Sequence, residues 1–353
     1  MRFTDDFNIS RAVKIWLITG LVMIFFQIII GGVTRLTGSG LSITRWEIVT
    51  GSIPPLNEAD WQSEFELYKQ TPQYQKINQG MSLGDFKFIY FWEYFHRLWA
   101  RLMFFVFVIP FAWFLWRGMM SRRLLPRMLT VVALAGLEGF FGWAMVASGL
   151  IKRPWVNAYN LTLHLCMALV IFTYLLWTWF LAASPKLPEF SSPRFRRFAW
   201  TIFGVAFFQI ALGAIMSGSK AGLFFPTWPD MNGEYFPSIL LDGSHWTVDS
   251  FIHYDTNPFM PALIHFLHRN TAYLLTFMVS YFVWKIFKEN ISPLLRRSGW
   301  WLLAAVAVQV LLGIFTVINC KASIPVDLGV AHQGGAVVLL SVVLWICYQL
   351  RTK

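Results

Sequence analysis

Eight stretches of this chain stay apolar for long enough to cross the hydrocarbon core of a bilayer as helices. They cover residues 12–33, 91–116, 126–148, 157–182, 198–217, 260–287, 299–318 and 326–350 of a 353-residue sequence. Nothing else narrows the fold as much, because lipid offers a peptide group no hydrogen-bond partner. Only helices and closed barrels satisfy their own. A membrane strand needs only about 10 residues, so runs of this length read as helices. Composition agrees: 56% of the residues are hydrophobic and 13% charged, which sets aside the soluble enzymes. The expectation is an all-α integral membrane protein with eight transmembrane helices. The first run follows Arg11 and Lys14, as a signal peptide's would, yet it is too long for one and lacks a small-residue cleavage site.

The net charge of +11 suits nucleic acid in principle, but its distribution points to a lipid bilayer as the partner and to no nucleic acid. Short connectors carry Arg117, Arg122, Arg123 and Arg127, then Lys186, Arg194, Arg196 and Arg197, then Lys285, Lys288, Arg296 and Arg297. With Arg2, Arg11, Lys14, Arg351 and Lys353, they place both termini in the cytoplasm by the positive-inside rule. Two long connectors, 34–90 and 218–259, fall on the other side, are acidic to neutral, and are rich in Gly, Pro and Trp. Their length predicts structured lids, and residues 60–68 (DWQSEFELY) predict a short amphipathic surface helix. Cys166, Cys320 and Cys347 show no CxxC spacing, so they suggest neither a zinc site nor a disulfide framework.

A repeat is visible once the runs are aligned. Residues 25–32 (FFQIIIGG) match 207–214 (FFQIALGA), and Phe95-His-Arg97 matches Leu267-His-Arg269. Residues 309–313 (QVLLG) and 138–142 (EGFFG) echo the first pattern, the latter with Glu for Gln. The chain therefore reads as two four-helix bundles of like orientation, 1–185 and 186–353, with small residues letting helices approach closely.

His96, His164, His268 and His332 fall one to each even-numbered run. By the topology above, all four lie five to eight residues from the outer end, or roughly 8–12 Å deep at the helical rise. They form two pairs, His96 with His164 and His268 with His332. Paired imidazoles on facing helices are what axial ligation of a haem iron needs, whereas a single such His more often only hydrogen-bonds within a core. Arg97 and Arg269 each follow a candidate ligand, where a guanidinium can pair a haem propionate or snorkel to the outer headgroups.

Helical geometry puts Glu93, His96 and Arg97 on one face of the second run. The bland account is a Glu93–Arg97 ion pair beside a hydrogen-bonded His. Yet ionisable groups in a membrane helix each cost several kcal/mol, and the halves differ here: the position three before His268 is His265. A carboxylate near a porphyrin edge can accept a proton or stabilise developing positive charge, while the other pocket suits electron transfer. His265 can instead bond a lid carbonyl. The asymmetry suggests an oxidising site served by a redox haem.

On these residues the chain resembles haem A synthase, in its alphaproteobacterial and mitochondrial branch. The stretches that carry the likeness are 31–42 (GGVTRLTGSGLS), 85–97 (DFKFIYFWEYFHR), 160–164 (NLTLH), 266–269 (FLHR) and 330–333 (VAHQ). Residues 225–233 (FPTWPDMNG) resemble the family's Thr-Phe-Pro-x-Met-x-Gly pattern with altered spacing. The first outer loop lacks the cysteine pair of the Gram-positive branch. The resemblance implies oxidation of the C8 methyl of haem O to a formyl group. His96 and His164 would then hold the substrate haem O, His268 and His332 a non-covalent haem b, and Glu93 would be the catalytic carboxylate. It also implies the bacterial inner membrane, haem sites near the periplasmic side, haem O synthase as partner and an external electron acceptor, and it admits a homo-oligomer. A dihaem b-type electron carrier exchanging with quinone is the rival reading, and a repeat-built transporter the weaker third.

Overall fold

The computed structural model describes residues 9–45, 50–150, 153–183, 190 and 192–351. Apart from one isolated bridge between Met231 and Glu234, every regular element among them is helical. The order is α1 (Arg11–Leu36), then α2 (Glu58–Lys69) and α3 (Pro72–Lys76) in the first long connector, then α4 (Leu83–Trp116), α5 (Leu124–Gly149), α6 (Ala158–Ala183) and α7 (Pro193–Gly218). The second long connector holds α8 (Ala221–Phe224) and α9 (Val248–Ile252), and α10 (Phe259–Ile286), α11 (Pro293–Ile318) and α12 (Val326–Gln349) follow.

Among the described residues, seven helices are both long and apolar enough to cross a membrane: α1, α4, α5, α6, α7, α11 and α12. The eighth expected span, α10, has the length but not the apolarity. Its 28 residues reach about 42 Å, more than the hydrocarbon thickness. What sets it apart is the polar set His265, His268, Arg269, Asn270 and Lys285.

Helix starts follow ordinary capping chemistry. Ser10 and Ser292 accept hydrogen bonds from the backbone N–H of Val13 and Leu295, and Pro193 and Pro293 open α7 and α11. Helix α4 begins at Leu83, earlier than its apolar run, because Ser82 and Asp85 cap it reciprocally. Its extra turns carry Phe86, Ile89 and Tyr90, which pack with Phe65 and Tyr68 of α2. The amphipathic helix expected over 60–68 thus exists, and its apolar face is buried on α4 rather than laid on lipid. Burial pushes the Tyr68 phenol up to about 12, although Asn78 donates to its oxygen at 2.7 Å.

The chain divides into two compact units, Met1–Leu175 and Leu176–Lys353. The cut falls inside α6 because the last turns of that helix pack on α7 and α12: Trp177 meets Trp200 and Tyr348, and the Tyr348 hydroxyl donates to Phe180 O at 2.8 Å. The boundary expected at 185/186 lies outside the described residues, as do Arg2, Lys186 and Lys353. In the first unit α1 packs along α4, pinned by two indole N–H groups. Trp16 donates to Val106 O at 3.2 Å and Trp99 to Met23 O at 3.0 Å. In the second, α7 packs on α10 and α12, and α11 on α12 and α10.

Candidate functional site

Each of the four histidines is met by the same two-point grip from another helix. On α1, Gln27 and Gly31 face His96; on α5, Glu138 and Gly142 face His164. On α7, Gln209 and Gly213 face His268; on α11, Gln309 and Gly313 face His332. The two gripping residues are always four apart, one helical turn, so both point the same way.

The polar half of the grip fixes the backbone of the histidine. Gln Nε2 donates to the carbonyl of His96 at 3.3 Å, of His268 at 2.9 Å and of His332 at 2.9 Å. That acceptor decides which amide atom is nitrogen. The same nitrogen lies 3.2 Å, 3.4 Å and 3.5 Å from the three rings' Nε2. The glycine half leaves room for the ring. A Cβ there would lie 3.1 Å from Cε1 of His96 and of His164, 3.0 Å from that of His268 and 2.9 Å from that of His332. Any larger residue would push the imidazole aside.

Glu138 breaks the pattern. A carboxylate cannot donate to a carbonyl, and its Oε1 instead lies 3.1 Å from His164 Nδ1. Its Oε2 is buried without a hydrogen-bond partner, and so is His164 Nδ1, so the 3.1 Å approach is a close contact not aligned as a hydrogen bond.

The second unit brings its two histidines together. The His268 and His332 ring centres are 6.3 Å apart at an interplanar angle of 77°. Imidazoles on opposite sides of one metal ion, each about 2 Å from it, have ring centres roughly 6 Å apart. His268 Nδ1 is also buried without a hydrogen-bond partner. These residues fit a haem iron. Among the described residues no three His, Cys, Asp or Glu are placed to hold a bare metal ion.

Glu93 and Arg97 turn to the first long connector rather than to His96. Glu93 is buried, and its Oε2 accepts from Ser42 N at 2.7 Å, Ser42 Oγ at 2.8 Å and Ile43 N at 2.9 Å. Its Oε1 pairs with Arg97 Nη2 at 2.6 Å, and Arg97 donates onward to Ile43 O and Arg45 O. The bland ion pair is therefore present. Arg269 does the equivalent work in the second unit, where it is buried and donates to Pro229 O at 2.8 Å and Tyr235 O at 2.7 Å. Its Nε–H has no partner. The clamped turn is stiffened by Thr227, which donates to Asp230 Oδ1 at 2.7 Å and so holds that carboxyl below the usual carboxylate range. His265 is buried with its Nδ1 unpartnered, while His245 and His253 lie nearest Asp242 and Asp249 in the connector. Cys166, Cys320 and Cys347 are all free thiols.

Removing the Arg269 side chain deletes two charge-assisted hydrogen bonds, each about 1.5–3 kcal/mol. Arg269→Ala is expected to free residues 229–235 from α10, and limited proteolysis should show new cleavage there. Unchanged protection of that turn would mean the clamp is incidental.

A profile of the family described as cytochrome oxidase assembly protein matches residues 14–344. The chain belongs to this family. Its relatives include a protein named heme A synthase from Rhodospirillum centenum, 41% identical over 97% of this chain and 89% of the relative. Another of that name, from Parvibaculum lavamentivorans, is 40% identical over 96% and 94%, and one from Nitrosomonas eutropha is 38% identical over 96% and 93%. The resemblance drawn from the motifs is borne out over nearly the whole length. As expected of this family member, the several long apolar helices make it a multi-pass membrane protein.

Reasoning from sequence missed the gripping residues. Gln27, Glu138, Gln209 and Gln309, with their glycines, were legible only as a repeat that lets helices approach. The signal was present: an acid or amide, three residues, then glycine, four times, always in the helix that precedes a histidine-bearing one.

Proposed function

We propose that this protein is a haem A synthase, oxidising the C8 methyl group of haem O to a formyl group to give the haem A of terminal oxidases. The observation that carries the reading is the four-fold recurrence of one grip on a histidine, in a chain alike over nearly its full length to proteins of that name. α10 is the eighth span, which makes two four-helix halves of one orientation. Both termini lie in the cytoplasm, the membrane is the bacterial inner membrane, and the haem sites are near its periplasmic side.

His96 and His164 hold the substrate haem, and His268 and His332 hold a haem b non-covalently. Bound haem b supplies one-electron redox chemistry. Arg269 offers its remaining Nε–H to a propionate, and Arg97 stands in the same register. Glu93 is the carboxylate that takes up a proton as the methyl group is oxidised. Methyl becomes alcohol and then hydrated aldehyde in two two-electron stages, each taking one oxygen atom from water and passing two electrons and two protons to an external acceptor, and the hydrate then loses water to give the formyl group. Haem O synthase supplies the substrate.

Co-expression with haem O synthase, with and without air, followed by mass analysis of extracted haems tests this. The expected product is heavier than haem O by one oxygen and lighter by two hydrogens. Two unaltered b haems would favour the dihaem electron carrier.

A further inference from the structure

Four equivalent grip positions hold three amides and one acid, and the acid is at the half proposed to bind substrate. Gln27, Gln209 and Gln309 each turn an amide nitrogen to the backbone carbonyl and ring of their histidine. An amide nitrogen cannot accept a proton from an imidazole. Glu138 Oε1, 3.1 Å from His164 Nδ1, can.

We propose that Glu138 is a positioning residue for His164: Oε1 stands 3.1 Å from Nδ1, and a small turn of the ring as Nε2 takes up iron lines the Nδ1–H up on that oxygen, which makes His164 the strongest electron donor of the four histidines. A carboxylate on the far nitrogen of a ligating imidazole fixes the tautomer and raises the basicity of the ligand. The second carboxylate oxygen is buried behind the same ring with no hydrogen-bond partner, so nothing draws Glu138 away from His164. An iron fed by such a ligand gives up an electron more readily, which suits a haem that is to be oxidised over one that only relays electrons. The amide in the other three grips sets position without this push. Glycine at Gly142 keeps the ring close, since a Cβ there would lie 3.1 Å from its Cε1.

This inference rests on the proposed ligand pairs, and the test separates the two. Glu138→Gln converts the odd grip to the form of the other three, and Gln309→Glu installs the acid at His332. Purified protein carrying both haems is titrated electrochemically. Resonance Raman and haem release to apomyoglobin are read beside it. His164→Ala identifies which signal belongs to the N-terminal half. Glu138→Gln is expected to raise the potential of that haem alone and speed its release roughly 10- to 100-fold. Gln309→Glu is expected to lower the potential of the other haem alone. Haem retained in Glu138→Gln with neither potential moved overturns the proposal. Should Glu138→Gln fail to hold haem, an unmoved potential in Gln309→Glu overturns it equally. An N-terminal haem that survives His164→Ala with its spectrum intact rejects the ligand assignment instead.

Discussion

His332→Ala is expected to leave the protein with one haem in place of two, and His268→Ala to do the same at the same site. The pair lies with ring centres 6.3 Å apart, so under the proposed assignment each ring would supply half of the iron's protein ligation. Haem counted per chain by pyridine haemochrome checks the result, and the haem of the N-terminal half should persist. A subtler variant carries the same message. Gly313→Ala places a methyl 2.9 Å from His332 Cε1, closer than van der Waals contact, and the ring must move. Its expected effect is a partial loss, roughly ten-fold or more in haem retention. Gly204→Ala on α7 meets nothing within 4 Å and should retain full haem. Two haems in His332→Ala, or equal losses in the two glycine variants, would sink the account of the grip.

The second large effect belongs to Glu93. Glu93→Ala removes four hydrogen bonds at once and takes the opposite charge from Arg97, whose side chain is only 12% exposed. Breaking such a buried pair from one side costs about 3–5 kcal/mol. A lower unfolding temperature in detergent and new proteolysis in the connector around Ser42 are expected. Glu93→Gln separates structure from chemistry. Its amide oxygen still accepts from Ser42 and Ile43, so most of the stability should return. It cannot take a proton as a carboxylate does, and turnover should fall by about 10²–10⁴. If Glu93→Gln makes haem A at the normal rate, the carboxylate is a latch for the connector and nothing more.

The elements of the fold were legible because lipid imposes length and apolarity on every span, and both can be read residue by residue. The exception follows from the same rule. α10 carries His265, His268, Arg269 and Asn270 within two turns, so the polar groups that single it out also lower its apolarity. The four histidines were legible from their matched positions. Their partners were not, because Gln27 or Gly213 looks like helix packing until a ring lies against it. The two arginines show a further limit. Spacing placed Arg97 and Arg269 beside a candidate ligand, but whether each guanidinium bonds a connector carbonyl is set by the path of the connector. No periodicity encodes that path. Tyr68 is a similar case: its burial against α4 comes from turns of that helix lying outside the apolar run.

Arg97 and Arg269 each occupy the position directly after a histidine, and each is tied to main-chain oxygens of a long connector. One rigid peptide unit therefore joins the ring-bearing residue to the lid anchor in both halves. A displacement of either connector would therefore be transmitted first to the residue that carries the imidazole. Under the proposed assignment, the same short link would make ring position and connector position a single variable.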